Sequence, residues 1–156
     1  MRVTAYADYG LRVLMYLALN ESRRSTIREI SEAYGISRNH LMKVVQRLAV
    51  LGYVDSTRGV GGGLSLGRPA DDIRLGRVVM DMEPDMALVE CMRPDGQCAI
   101  SSACRLAGAL DRALAAFIDT LNQSTLADLV RPGDAKRLRM RLHIEPLGTS
   151  EKDAAA

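Results

Sequence analysis

The sequence predicts a mainly α-helical protein with one small β-hairpin, arranged as a winged helix-turn-helix that is followed by a long C-terminal dimerisation helix. Three observations support this fold class. Two amphipathic helical patterns are joined by a four-residue turn at 34–37. Two short β patterns flank a glycine-rich tip at 58–63. A narrow apolar stripe follows the last cysteine. The composition agrees, because 47% of the 156 residues are hydrophobic and only 4% are aromatic.

The first half of the chain has the order of elements of a winged helix. Apolar spacing predicts a helix from Thr4 to Leu19, and then a helix-turn-helix over about 26–51. Thr26 and Glu29 form a capping-box pattern at the start of its first helix, and Gly35 suits a left-handed C-cap. Ser37 is expected to cap the second helix. The wing covers about 53–66, a further helix runs from 73 to 82, and residues 1–82 form the predicted DNA-binding domain.

The charge distribution favours an anionic partner for this first half. Residues 1–77 contain 12 Lys/Arg and 7 Asp/Glu, whereas residues 78–156 contain 9 and 12. The N-terminal part of a recognition helix reads base edges, and a wing arginine can enter the minor groove. The glycine-rich tip does not indicate a nucleotide site, because no Lys-Ser/Thr pair and no helix follow it. The predicted DNA-binding residues are Thr26, Arg28, Ser37, Arg38, Asn39, His40, Lys43, Arg47, Arg58, Gly59, Gly61 and Gly62.

Three cysteines lie within fourteen residues, and the rest of the chain has none. Their spacing, C-x6-C-x5-C, lacks the close pairs of zinc fingers and of bacterial ferredoxins. Such wide spacing in a loop favours an iron–sulfur cluster held by Cys91, Cys98 and Cys104. Structural zinc, a redox-sensing thiol set, and one structural cysteine with two incidental ones remain alternatives. Spacing does not identify a fourth ligand, and the candidates are the carboxylates Asp8, Asp81, Glu83, Asp85, Glu90 and Asp95.

The second half supplies the predicted sensing and dimerisation parts. Residues 83–131 are expected to form a cluster-binding loop and a long helix, whose apolar stripe would pack on a second copy of the chain. Its members are Leu106, Leu110, Ala113, Leu114, Phe117 and Leu121. A capping-box pattern at Thr125 predicts a last short helix, and residues 132–156 are predicted to be a disordered tail. No apolar run has the length of a membrane span and no signal peptide is recognisable, so we expect a cytoplasmic protein with reduced thiols.

The chain resembles the winged-helix iron–sulfur repressors that include NsrR, IscR and RirA, over about residues 1–131. The resemblance rests on the segments 1–4, 8–12, 34–40, 58–70 and 125–130 and on the three cysteines. Within this family the motifs look most like those of the nitric-oxide-sensing branch. The position three residues after the last cysteine is Ala107, where IscR-type proteins have histidine.

The resemblance implies a homodimeric repressor that binds a palindromic operator and carries one [4Fe–4S] cluster per subunit, with [2Fe–2S] as the alternative. It implies that Asp8 of the partner subunit is the fourth ligand and that Arg12 lies beside the cluster. Nitric oxide would then release the operator by attacking the cluster. The alternative function within this family is an iron-availability or cluster-status regulator. An enzyme is not expected, because the chain shows no motif for radical chemistry and no legible substrate pocket.

Overall fold

The computed structural model describes residues 3–100 and 103–144, and its elements confirm the predicted fold class. Most of the structure is helical, and a single hairpin follows the helix-turn-helix. The elements are α1 (Ala5–Leu19), α2 (Ile27–Tyr34), α3 (Arg38–Val50), β1 (Val54–Thr57), β2 (Gly63–Leu66), α4 (Leu75–Met82), α5 (Leu106–Asn122), α6 (Leu126–Leu129) and α7 (Pro132–Arg141).

Helix α1 lies at the centre of the core and packs against α3, α4, α6 and β2. Leu14 of α1, Ile30 of α2, Leu41 and Leu48 of α3 and Val78 of α4 are all completely buried. Each such side chain contributes roughly 1.5–3 kcal/mol through removal from water. Within the described residues, no helix is both long enough and apolar enough to cross a membrane.

The caps of the helix-turn-helix follow the sequence prediction with one exception. The Thr26 hydroxyl accepts a hydrogen bond from the Glu29 backbone N–H, and the Glu29 carboxylate accepts one from the Thr26 backbone N–H at 2.6 Å. Gly35 has the left-handed φ of 65° that its C-cap position requires. Ser37 occupies the N-cap of α3, but its side chain makes no capping hydrogen bond. The prediction for this side chain was wrong; the position is exposed, so water can serve the backbone donors instead.

The wing is an antiparallel pair in which Val54 faces Leu66 and Thr57 faces Gly63. Its second strand also pairs with the turn between α1 and α2. Ser25 donates its backbone N–H to Leu64 at 2.9 Å, and the Leu64 N–H donates back at 2.7 Å. The second strand of the wing is therefore attached to the segment that leads into α2, a contact that the sequence did not predict.

Helix α4 begins at Leu75, so the predicted start at residue 73 was wrong. Ile73 is extended, and its carbonyl accepts a hydrogen bond from the Leu126 N–H at 2.8 Å. The next residue, Arg74, forms a β-bridge with Thr125 as part of the same backbone pairing. Ile73 is completely buried, as the apolar pattern predicts. A long-range backbone pairing nevertheless holds it outside the helix.

Helix α5 packs against α4, yet most of its predicted apolar stripe does not face the core. Ile118 is its one buried residue in the described structure. The stripe residues are partly or largely exposed, and Leu106 retains 58% of its surface. An exposed apolar face of this kind is typical of an interface with another chain.

The prediction of a disordered tail from residue 132 was wrong for residues 132–144. Pro132 occupies the first turn of α7, where its missing N–H costs no hydrogen bond. Ala135 and Ile144 are buried, and Arg139 donates from Nε to the carbonyl of Leu19 at 2.8 Å. This contact satisfies a carbonyl at the C-terminal end of α1. Residues 145–156, the rest of the predicted tail, lie outside the described residues, and the domain limits at 82 and 131 stay predictions.

Candidate DNA-binding face and cysteine loop

The N-terminal turn of α3 presents the polar residues that the sequence assigned to DNA. Arg38, Asn39 and His40 are all exposed. Glu32 lies 3.1 Å from Arg28 and 3.7 Å from Arg38, with all three side chains at least 59% exposed. Exposed ion pairs contribute little stability, so both guanidinium groups can exchange Glu32 for a phosphate.

Helix α1 contacts the N-terminal half of α3, the recognition helix. The ring of Tyr9 stacks on His40 with 6.5 Å between the centroids. Tyr6 donates its hydroxyl to the carbonyl of Lys43 at 3.1 Å. A movement of α1 would therefore be transmitted to the residues that are predicted to contact DNA.

The wing tip has the backbone freedom that a close approach to DNA needs. Gly59 and Gly61 have φ values of 96° and 75°, a backbone conformation that residues with a side chain rarely adopt. A Cβ on Gly62 would lie 2.4 Å from the carbonyl oxygen of Thr57. Arg58 is exposed at this tip. Arg24 contacts both strands of the wing: it pairs with Asp55 at 2.7 Å and donates to the carbonyl of Gly63 at 3.2 Å.

Arg47 differs from the other predicted DNA-binding residues. It lies nine residues after Arg38 on α3, about 13 Å further along the helix axis. Its guanidinium donates to the backbone carbonyl of Asp81 at 3.1 Å. The structure therefore directs Arg47 towards α4 instead of grouping it with the N-terminal turn of α3.

The Asp81 carboxylate joins α4 to the wing. Tyr53 donates its hydroxyl to this carboxylate at 2.7 Å, and Arg77 pairs with it at 3.1 Å. Burial, followed by the hydrogen bond to Asp81, raises the pKa of Tyr53 to about 12. Together with the Arg47 contact, these bonds connect recognition helix and wing to the end of α4, where the cysteine loop begins.

The loop between α4 and α5 carries three unpaired, half-buried cysteines, Cys91, Cys98 and Cys104. One 3₁₀ turn, Glu90–Met92, lies within it. The described backbone hydrogen bonds between residues 89 and 103 all span three residues, as in isolated turns. Beneath the loop, a cavity of about 170 Å³ is lined by the apolar residues Leu88, Leu114 and Phe117 and by the carboxylates Glu83 and Asp85. The described part of the loop thus packs on α5 through its 3₁₀ turn, but its backbone makes only local hydrogen bonds.

Most of the carboxylates near this loop already have partners. Glu83 accepts the backbone N–H of Thr4 at 2.7 Å. Asp85 accepts from the Ala87 N–H and from Arg93, each at 2.8 Å, and these bonds hold its pKa below the usual range. Glu90 accepts the Gln97 N–H at 3.3 Å.

Asp8 has a different environment on α1. It pairs with Arg12, one helical turn away, at 2.9 Å. Both side chains are more than 40% exposed. An exposed pair of this kind contributes at most about 1 kcal/mol, so the Asp8 carboxylate is accessible to another partner.

Across residues 3–100 and 103–144, no three His, Cys, Asp or Glu side chains are grouped so that they could hold a metal ion. The predicted ligands Cys91, Cys98, Cys104 and Asp8 are therefore not brought together within the single chain. Their chemistry fits an iron–sulfur cluster, since three unpaired, partly accessible thiols lie on one loop. Metal sites often assemble only when the metal binds, and the resemblance places the fourth ligand on a second subunit.

A comparison with known proteins decides the family. The model of the Rrf2 family, described as iron-dependent transcriptional regulators, matches residues 3–132. The chain belongs to the Rrf2 family. Rrf2 proteins are transcriptional regulators that bind DNA and are typically dimeric, which confirms the predictions of a DNA-binding regulator and of a protein that is not an enzyme.

Solved structures of Rrf2-type proteins share this fold. The global cysteine regulator CymR of B. subtilis is 25% identical, with a TM-score of 0.65 over 83% of this chain and 95% of that one. The oxidised form of CymR from Staphylococcus aureus is 24% identical, with a TM-score of 0.67 over 84% and 97%. IscR of T. potens is 21% identical, with a TM-score of 0.66 over 95% and 94%. The last two likenesses show the fold alone.

Sequence reasoning missed the residues that hold this Rrf2 protein's binding face in place. Tyr6, Tyr9, Arg24, Tyr53 and Asp81 all act through contacts with segments at least 28 residues away in the chain. A buried tyrosine hydroxyl needs a polar partner, so Tyr53 carried a signal that such a partner exists. Its identity could not be read from local spacing.

Proposed function

We propose that this Rrf2 protein is an NsrR-like homodimeric repressor, whose affinity for a palindromic operator depends on a [4Fe–4S] cluster that nitric oxide attacks. The observation that carries the proposal is the placement of three unpaired cysteines directly after α4, on a loop whose described backbone hydrogen bonds are local. Helix α4 is bonded through Asp81 to the recognition helix and the wing. A change at the loop can therefore reach both DNA-contacting elements.

Cys91, Cys98 and Cys104 of one subunit would hold the cluster, and Asp8 of the other would complete the site. Two features support Asp8. Its one described partner is the exposed Arg12, whereas four of the five other candidates, Asp81, Glu83, Asp85 and Glu90, make hydrogen bonds to other groups. The fifth, Asp95, belongs to the cysteine loop and not to a helix that contacts α3. Carboxylate oxygen is also a harder and more exchangeable ligand than thiolate, so it would leave one iron accessible to a small molecule.

The exposed face of α5 supports the second subunit. Leu106 of α5 keeps 58% of its surface, Ile100 of the preceding loop keeps 64%, and Met80 of α4 keeps 45%. Apolar side chains at near-heptad spacing on α5 suit packing against an identical helix. A ligand that crosses this interface would tie α1, and through Tyr9 and Tyr6 the recognition helix, to the state of the cluster.

The cluster, when bound, would supply the iron that reacts with nitric oxide, and the protein would supply the switch. Loss of the bond to Asp8 would release α1 from the partner's loop. Because α1 contacts α3 through Tyr9 and Tyr6, the spacing of the two recognition helices would change. Two half-sites require a fixed separation, so the operator would be released.

Native mass spectrometry of the protein purified without oxygen tests this function. We expect one [4Fe–4S] unit per subunit in a dimer, and stepwise additions of nitric oxide that parallel the loss of operator binding. A mass that matches zinc, or a cluster that does not react with nitric oxide, would contradict the proposal. Release of DNA by iron chelation, without any response to nitric oxide, would support the iron-availability regulator instead.

Replacement of Asp8 by alanine is expected to give a cluster that assembles but decays faster, by about tenfold, because one iron would lose its protein ligand. The decay of cluster absorbance after exposure to air measures this rate. Glu21→Ala is the control, because it also removes an exposed carboxylate, from the turn just after the same helix. Equal decay in Asp8→Ala and the wild type would remove Asp8 from the site.

A further inference from the structure

Helix α7 is a basic segment within the acidic half of the chain. Residues 78–131 contain four Lys/Arg and eight Asp/Glu, whereas α7 contains four Lys/Arg and one Asp. A strongly basic helix commonly indicates contact with a polyanion. The alternative is that the basic residues of α7 only face water.

The helix separates its packing residues from its charges. With 100° between successive residues, Ala135, Leu138, Arg139 and Leu142 lie within one third of the helix circumference. Ala135 is buried, and Leu138 and Leu142 pack against the core. The opposite side carries the exposed residues Lys136, Arg137, Met140 and Arg141. The basic residues thus form one continuous outward strip on a helix that is held in a fixed orientation.

Helix α7 docks at the end of α1 that leads into the predicted DNA-binding face. Arg139 donates to the carbonyl of Leu19, the last residue of α1. The adjacent Asn20 donates to the hydroxyl of Ser25 at 2.9 Å, and Ser25 pairs with Leu64 of the wing. The same turn leads directly to Thr26 and Arg28 at the start of α2. Helix α7 is therefore anchored at the end of α1, from which the chain reaches the wing contact at Ser25 and the helix-turn-helix at Thr26 within seven residues.

The charges of the strip are available to an external anion. In the part of the chain that the structure describes, Lys136 and Arg141 take part in no ion pair. Arg137 pairs with Asp134 at 3.1 Å, and both are more than half exposed. Such a pair exchanges readily for a phosphate.

We infer that the outward strip of α7, formed by Lys136, Arg137 and Arg141, binds phosphates of the DNA backbone beside the segment read by α3 and the wing. Phosphate contacts position a protein on the duplex without reading its sequence. The strip would therefore raise affinity for every duplex by a similar factor. This inference rests on the DNA-binding function, and it assigns a role to a segment beyond the part of the chain that matches the Rrf2 family.

The salt dependence of binding to a random-sequence duplex tests the inference, because each phosphate contact contributes about −0.9 to the slope of log K against log salt. In the full-length chain, Lys136→Gln/Arg141→Gln removes two charges but keeps side chains that favour a helix. We expect the slope to become shallower by about 2, and the affinity at roughly 0.1 M salt to fall at least tenfold.

Two further variants make the result specific. Arg112→Gln removes an exposed charge from α5, on the side opposite the apolar stripe, and is expected to leave the slope unchanged. Lys136→Arg/Arg141→Lys keeps both charges and is expected to keep the wild-type slope. An unchanged slope in the double Gln variant, with circular dichroism showing that it is folded, would overturn the role of α7 alone. A wild-type protein without salt-dependent binding would instead overturn the DNA-binding function.

Discussion

Replacement of Cys98 by alanine is expected to give a folded dimer that carries no cluster and binds its operator about as weakly as unrelated DNA. Specific and non-specific affinities of DNA-binding proteins differ by about 10³-fold or more, so the expected loss is of that order. Cys98 is half-buried in a loop whose described backbone hydrogen bonds are local, and it contributes nothing to the core. The free energy of unfolding, compared between the cluster-free forms of the variant and the wild type, should therefore change by less than about 1 kcal/mol.

Gln97→Ala is the matched control for this variant. The residue neighbours Cys98 on the same loop and is exposed, and the Gln97 N–H that bonds to Glu90 is kept in alanine. Iron content, dimer mass and operator affinity measured on both variants separate the thiol from the loop. A Cys98→Ala protein that binds its operator with wild-type affinity would eliminate cluster-dependent repression.

Replacement of Gly76 by alanine is expected to lower the free energy of unfolding by about 2–3 kcal/mol, through overpacking between α4 and α5. A Cβ at this position would lie 2.5 Å from the carbonyl oxygen of Ile118 and 2.6 Å from the side-chain oxygen of Asn122. That oxygen also accepts the Arg77 backbone N–H at 2.9 Å. The two helices would have to separate, and this loss exceeds the gain in helix propensity of about 1 kcal/mol.

Thermal unfolding measures this effect. For a chain of this size, 2–3 kcal/mol corresponds to a decrease in Tm of roughly 5–10 °C. Gly133→Ala is the control, because it also lies in a helix but no other group lies within 4 Å of the added Cβ. That variant should keep the wild-type Tm or exceed it slightly. Equal Tm values for both variants would show that α4 and α5 can adjust their separation at little cost.

The DNA-binding half could be predicted closely from the sequence because its signals are local. The Thr26–Glu29 capping box and the turn at Gly35 each involve residues a few positions apart. The same holds for the wing, whose paired strands are joined by a short tip. Apolar spacing also predicted helices α1 and α3, since a helix places residues three and four apart on one side.

For the candidate site, the residue types were predictable but their arrangement was not. The cysteine spacing indicated a metal-binding loop, yet no local rule shows whether Asp8, Asp81 or Asp85 has a partner. The structure answers this through contacts between distant segments, such as the bond from Tyr53 to Asp81 across 28 residues. The role of each cysteine and of Asp8 stays a prediction that the experiments above address.

What the sequence by itself determined is the fold class, the order of the helices and hairpin and the residue types of the DNA-binding face, because periodicity and caps act over a single turn. The tertiary structure alone decided that residues 132–141 form a packed helix. A charged segment gives no local sign of packing, and α7 is held by contacts such as that of Arg139 with Leu19, 120 residues away. Likewise, Ile73 is extended instead of helical because its partner, Leu126, lies in another element. Long-range contacts of this kind exist only once the core has formed.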